Sequence, residues 1–249
     1  MPNVIGIIPA RYQSKRFPGK PLALLGGVPL IVRVYRAVLK SGLIDEVYVA
    51  TDDSRIARTV EEYEGRVILT SGDHATGSDR AAEAASKLNN VDRVINIQGD
   101  EPFISSEVID SVVKTLDDPG VVMSTACSKL SDPREADDPD IVKVVLDNNC
   151  DALYFSRSRI PYGGSEQDGI APTYRHMGIY GYRKDFLMTF AGLERTDLEK
   201  KESLEQLRAL EHGYRIRTVI VEKDFPGIDS EKDIIKAEAL LEGMERNDG

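Results

Sequence analysis

The feature that most constrains the fold of this chain is an alternation of two periods. Short runs rich in β-branched residues recur along its 249 residues, and stretches with the 3.6-residue apolar repeat stand between several of them. VIGII (4–8), EVYVAT (46–51), RVILT (66–70) and RVINIQ (93–98) read as strands. PLIVRVYRAVLKSG (29–42) sets Leu30, Val34, Ala37 and Val38 on one helical face, with Gly42 as the expected C-cap. DSRIARTVEEYEG (53–65) carries Ile56, Val60 and Tyr63 on one stripe. GSDRAAEAASKL (77–88) and SSEVIDSVVKTL (105–116) follow as helices, the second with Ser105 or Ser106 as a cap. Such a βαβα rhythm predicts an α/β fold whose central sheet is mostly parallel and covered by helices.

Between 121 and 183 the balance shifts. VVMSTA, IVKVVLD, ALYFS and HMGIYGYR bring strands with few helices, which predicts a small antiparallel excursion inside the α/β unit. RIRTVIVE (215–222) is one more strand, and SEKDIIKAEALLEGMER (230–246) closes the pattern as an amphipathic helix capped by Ser230. With no repeat, low-complexity tract or linker, residues 1–249 read as a single domain. The segment 162–174 reads as a surface loop or a lid.

Composition narrows the function. A net charge of −10 argues against a general nucleic-acid or anionic-membrane binder. No apolar run approaches the roughly 18 residues of a membrane span, and the N-terminus lacks the basic and apolar regions of a signal peptide. Cys127 and Cys150 are too few for a disulfide framework and read as reduced, buried thiols. The expectation is a cytoplasmic protein without a membrane segment.

Open parallel sheets bind ligands beyond the carboxyl ends of their strands. Four polar clusters fall there: ARYQSKRFPGK (10–20), TDD (51–53), TSGDHATGSDR (70–80) and QGDEP (98–102). The first concentrates Arg11, Lys15, Arg16 and Lys20 in an acidic protein. It reads either as solvated surface pairs or, with Ser14 and Gly19, as a clamp for a polyphosphate. It is not a P-loop, because Pro21 follows Lys20, and no G-x-G-x-x-G follows a strand, which removes the support for a dehydrogenase. Asp100 and Glu101 end a strand; carboxylates there suit Mg2+, which takes oxygen ligands from one or two carboxylates and from substrate phosphates. Asp229 is a good N-cap beside Ser230, and also a second carboxylate for the same cation.

Period two puts His176, Tyr180 and Tyr182 on one face of a strand, a hydrogen-bonding wall suited to a polyol. Glu205 and Gln206 read as part of a capping box, with Glu202 or Ser203, or as part of the same wall. Arg157 and Arg159 follow a strand, where an arginine can hold a carboxylate in a bidentate pair.

Taken in order, IIPARYxSxRxPGKPL, VATDD, TSxDHxTGSDR, NIQGDEP, VKVVLD, ALYFSRxxIP, RHMGIYGYR, LEQLRALEHG and GIDSxxD resemble the 3-deoxy-manno-octulosonate (Kdo) cytidylyltransferases. The match is collinear over nearly the whole chain. The resemblance implies a nucleotide-diphosphosugar transferase fold of Rossmann-like type, Mg2+, and a homodimer using the 121–183 excursion for sugar binding and dimerisation. It implies transfer of CMP from CTP to Kdo with release of pyrophosphate, supplying CMP-Kdo for lipopolysaccharide synthesis. By the same resemblance, Arg11, Ser14, Arg16 and Lys20 hold the CTP phosphates, with Ser78, Arg80 and Gln98 near the nucleotide. Asp100 and Asp229 carry the metal, and Arg16, Lys20 and Asp100 are the catalytic residues. Arg157, His176, Tyr180, Tyr182, Glu205 and Gln206 line the sugar-acid pocket. GSDR stands where GTER is frequent, and GIDSEKD where GVDTPED is, with the spacing of the aspartates kept. Relatives with similar DDPxxVK and LEQLRALE segments act on an 8-amino-8-deoxy analogue, so the sugar stays open between the two. A different nucleotidyltransferase on the same fold, or a non-catalytic sugar-nucleotide sensor, are the rival readings.

Overall fold

The computed structural model describes residues 2–13, 17–130, 132–162, 173–222, 227–228 and 230–247. Strand β1 (Val4–Ala10) alternates its side chains between two cores. Val4, Ile8 and Ala10 enter one, Ile5 and Ile7 the other. Each isoleucine so buried contributes about 1.5–3 kcal/mol. A strand buried on both faces needs helices on both, and the chain supplies them.

In chain order β1 is followed by the short pair β2 (Leu24–Leu25) and β3 (Val28–Pro29), then α1 (Leu30–Val38), β4 (Glu46–Thr51), α2 (Ser54–Glu62), β5 (Val67–Leu69), α3 (Gly77–Ser86), β6 (Arg93–Ile97) and α4 (Ser106–Thr115). Next come β7 (Met123–Lys129), β8 (Lys143–Leu146), β9 (Ala152–Ser156), β10 (Tyr174–Arg183), α5 (Lys184–Gly192), α6 (Asp197–Glu202), α7 (Leu207–Glu211), β11 (Arg217–Val221) and α8 (Glu231–Asn247). The main sheet runs β11-β7-β10-β6-β1-β4-β5, and the β8–β9 hairpin branches from β10.

β1 pairs in parallel with β4 on one side and β6 on the other. The chain therefore moves outward to β4 and β5 and then returns across β1 to β6. Crossovers diverge at this switch of direction and leave a crevice at the carboxyl ends of β1 and β6. β10 lies antiparallel between β6 and β7, and β11 pairs with β7 in parallel. The antiparallel part is thus set into the middle of the sheet, with the β8–β9 hairpin as its outgrowth.

The helix starts agree with their sequence signals. Asp53 accepts from the Arg55 amide at 2.9 Å, Ser105 from the Val108 amide at 3.3 Å, and Thr76 and Asp79 form a reciprocal capping box at α3. At α8 Asp233 accepts from both the amide and the hydroxyl of Ser230. The expected C-cap of α1 is not at Gly42. Lys40 and Ser41 donate to Ala37 and Val38 oxygens at 3.2 and 3.1 Å, and these tight i→i+3 bonds satisfy the terminal carbonyls before the glycine is reached. Tyr63 falls just beyond α2, 38% exposed, with the Arg36 guanidinium over its ring. Both cysteines are free; Cys127 is fully buried, which pushes its thiol up to about 12, whereas Cys150, expected to be buried too, is only partly covered. Among the described residues no helix is long and apolar enough to cross a membrane.

Candidate active site

The loop after β1 is shaped by Gly19, whose φ of 75° lies in the left-handed region. Its amide donates to the Tyr12 carbonyl at 2.9 Å, closing the loop on itself. That closure delivers Lys20 to the crevice. Its ammonium donates to Asp100 Oδ2 at 2.6 Å and to the Ile228 carbonyl at 2.9 Å. A cation is therefore seated between a carboxylate and a carbonyl oxygen where β1 and β6 end. Arg11 is exposed. Ser14, Lys15, Arg16 and Asp229 lie outside the described residues.

A cleft of about 590 Å³ opens next to this seat. Of the residues singled out in the sequence, Gln98, Asp100, Arg157, His176, Tyr180, Glu205 and Gln206 line it. They come from four separate places in the chain: the end of β6, the turn after β9, strand β10 and the approach to α7. Gln98 reaches the cleft across Gly178, where a Cβ would stand 3.1 Å from the Gln98 Cγ. The β10 register shifts between Met177 and Tyr180 at the same point.

Arg157 is held before any ligand arrives. Its amide donates to Glu202 Oε2, its Nε to the Glu202 carbonyl and its Nη1 to the Pro139 carbonyl, each at 2.9 Å. Two of the guanidinium nitrogens are thus committed to carbonyls, and among the described residues Nη2 has no hydrogen-bond partner. Gln206 is 2% exposed and its Nε2 has no partner among the described residues, so the cleft holds a second donor awaiting an acceptor.

His176 shares a 2.9 Å hydrogen bond between its Nε2 and Thr125 Oγ1. Thr125 has one hydroxyl proton and gives it to the Ile179 carbonyl at 2.7 Å. The histidine Nε2 is accordingly the donor, and Nδ1 is an acceptor. Burial pushes this imidazole down to about 3, so it is neutral through the physiological range. Burial likewise raises the Tyr180 hydroxyl well above its ordinary range.

Ser78, Arg80 and Tyr182 lie behind the cleft rather than on its lining. Ser78 is fully buried; its hydroxyl donates to Glu205 Oε1 at 2.8 Å and accepts from Asn96 Nδ2 at 3.1 Å and from the Tyr182 hydroxyl at 3.0 Å. The Tyr182 side chain is interior for the same reason: its ring packs on Phe190 and its hydroxyl is spent on Ser78. The network ties the first turn of α3 to Glu205. Burial raises the Glu205 carboxyl, opposed by hydrogen bonds from Ser78 and Thr76. Arg80 is 4% exposed and joins strand ends, pairing with Asp52 at 2.8 Å and donating to Thr70 at 2.6 Å. The capping box expected around Glu202, Ser203 and Gln206 does not form. Ser203 takes φ 56° and ends α6, and the Glu202 carboxylate is drawn away to Ser156 and the Arg157 amide.

Glu101, named with Asp100 from its place at the strand end, also lines the cleft, while Glu135, Asp138, Asp140, Arg175 and Lys236 line it without any local signal that had singled them out. The acidic run at 137–140 was visible as charge, but nothing local says that it borders a cleft. Arg159, paired with Asp137 at 2.6 Å, does not line the cleft. Among the described residues no group of three or more His, Cys, Asp or Glu side chains is arranged to hold a metal.

The family model described as cytidylyltransferase matches residues 5–219. The 3-deoxy-manno-octulosonate cytidylyltransferase of Syntrophotalea carbinolica is 46% identical over 97% of this chain and 100% of its own length. The 8-amino-3,8-dideoxy-manno-octulosonate cytidylyltransferase of Shewanella pealeana is 49% identical over 96% of this chain and 98% of its own. A solved CMP:2-keto-3-deoxy-manno-octonic acid synthetase complexed with CTP superposes with a TM-score of 0.91 at 41% identity, covering 97% of this chain and 99% of that one.

Proposed function

The chain belongs to the cytidylyltransferase family, and on that premise we propose that it transfers CMP from CTP to the anomeric hydroxyl of 3-deoxy-manno-octulosonate, releasing pyrophosphate. One observation carries the reading. A single cleft runs from Asp100, at the switch of the sheet, to the pre-tethered guanidinium of Arg157. The first end suits a cation and a triphosphate, the second a sugar carboxylate.

Arg11, Ser14, Arg16 and Lys20 hold the triphosphate in this reading, and Lys20 and Arg16 balance the charge that grows on the departing pyrophosphate. Gln98 borders the nucleotide, while Ser78 and Arg80 support it from behind by fixing the start of α3 and the strand ends. Arg157 and Gln206 orient the sugar acid, and His176 offers Nδ1 as acceptor to a sugar hydroxyl, with Tyr180 and Glu205 on the same wall. No covalent enzyme intermediate is needed; alignment of the hydroxyl with the α-phosphorus does most of the work.

Mg2+ fits the donors present. The Lys20 ammonium is bonded by a carboxylate and a carbonyl oxygen, which is the ligand chemistry a hard cation takes. Asp100 and Asp229 would hold it, and when bound it would neutralise phosphate charge and acidify the attacking hydroxyl. The same proposal includes a homodimer, supported by apolar side chains left exposed at Leu153 (62%) and Tyr162 (91%) on and beyond β9. It also includes a cytoplasmic location, supported by two free cysteines.

The 8-amino sugar is a second reading with its own support. Glu135, Asp138 and Asp140 line the cleft and would receive an ammonium group. The deciding experiment follows pyrophosphate release from CTP and Mg2+ with each sugar acid in parallel. Release with either establishes the reaction and ranks the sugars; release with neither overturns the reading.

A further inference from the structure

β8 contains a charge to which no counter-ion is bonded among the described residues. Lys143 is 0% exposed, and its ammonium makes three hydrogen bonds, all to carbonyl oxygens: Asp138 at 2.7 Å, Ile141 at 2.5 Å and Arg157 at 2.6 Å. Lysine is almost never fully buried without a charged partner. Burial accordingly lowers its ordinary basicity. A neutral side chain of the same length would fill the space without that penalty, so what the ammonium holds must matter.

All three acceptors belong to residues that line the cleft. They also converge on one side chain. Lys143 holds the carbonyl of Arg157, while Glu202 holds the amide of the same residue. Lys143 also pins the carbonyls of Asp138 and Ile141, which bracket Pro139, the acceptor of Arg157 Nη1. Main chain and guanidinium are therefore tethered through the same ammonium, one directly and one through the 138–141 turn. We propose that Lys143 is the positioning residue of Arg157: from inside the protein it sets the guanidinium that takes the substrate carboxylate, and it places a positive charge behind the acid-binding end of the cleft. The identity of that carboxylate as a sugar acid's rests on the proposed function; the positioning itself does not.

The test uses the full chain with Lys143→Met, which keeps the length and removes the charge and the donors. With the sugar acid that the wild type turns over, its KM rises about tenfold or more, equivalent to ~1.4 kcal/mol. The Kd for CTP, measured without sugar, changes less than twofold. A role in packing alone would move both or neither, and either of those results overturns the proposal. If Lys143→Met fails to bind CTP at all, Lys143→Gln, shorter and neutral, takes its place under the same two criteria. A second readout needs no substrate. The Arg157 Nε–H resonance, assigned by its loss in Arg157→Lys, is slow to exchange with solvent in the wild type and fast in Lys143→Met; equal protection in both proteins overturns the proposal. If the wild type turns over no octulosonate, the functional reading falls, and this exchange measurement still decides whether Lys143 positions Arg157.

Discussion

Arg208 and Glu199 are each 1% exposed, and their pairing links α7 to α6 directly behind the cleft. Arg208 donates from Nε and Nη2 to the two Glu199 oxygens at 2.9 and 2.8 Å, and from Nη1 to Asp79 at 3.2 Å. Glu199→Leu keeps roughly the volume but strands the guanidinium, leaving it the longer bonds to Asp79 and to the Phe190 carbonyl. Breaking one side of a buried pair costs about 3–5 kcal/mol. For a chain of this size each kcal/mol lowers Tm by about 2–4 °C, so a fall of about 6–20 °C is expected. Glu199→Leu with Arg208→Met removes both charges and with them the desolvation penalty. Asp79 is not stranded, since its side chain is 18% exposed and still accepts from the Thr76 amide. The double variant loses the Thr196–Glu199 capping box, worth about 1 kcal/mol, and should otherwise approach the wild type. Thermal unfolding by circular dichroism of the two single variants and the double closes the cycle. A double variant as unstable as the sum of the singles would refute the premise that an uncompensated charge dominates.

Lys20→Met should lower turnover about tenfold or more, because each 1.4 kcal/mol of lost transition-state stabilisation is tenfold in rate; a steady-state assay with unchanged kcat would remove Lys20 from the chemistry. His176 should show no titration between pH 5 and 8 in long-range 1H–15N spectra, its folded value having been pushed down to about 3 by burial. The unfolded chain then binds the extra proton below about 6.5, so this group's share of stability is present above that pH and is lost as pH falls toward 3. Glu83 is held down to about 2 by hydrogen bonds from Lys87, His74 and the Ser71 amide. Its folded value is below the unfolded one, so its contribution is full above about pH 4.5 and lost on the way to pH 2. Denaturant titrations at stepped pH should show a shallower acid limb for Glu83→Gln than for the wild type.

Much of the scaffold was legible because it is governed by local rules. The alternation in VIGII declares a strand buried on both faces, and Asp53 and Ser105 declare helix starts, because a cap needs only a side-chain oxygen beside unpaired amides. The motif ensemble was legible for a related reason: clustering of polar residues after strands means a shared rim once the sheet is parallel. Tyr182 shows where local reading stops. Period two places it on the face of His176 and Tyr180, as the fold does, yet period says nothing of depth, and Ser78 from α3 meets its hydroxyl inside the core. Glu202 shows the same limit: its spacing suits a cap, but a bond across space to the Arg157 amide competes and wins.

Sequence alone therefore determined the α/β class, the strand-end rim on which the polar clusters gather and the residue types in the basic loop and the QGDEP turn, since each follows from residue type and spacing along one segment. Tertiary structure alone decided that Lys20 would meet Asp100, that Arg157 would be tethered through Lys143 and Glu202, and that His176 would be a neutral donor through Nε2. Those facts depend on distance and burial between segments far apart in the chain. Hydrogen bonds and desolvation act over a few ångströms in space, and spacing along a sequence does not encode that separation.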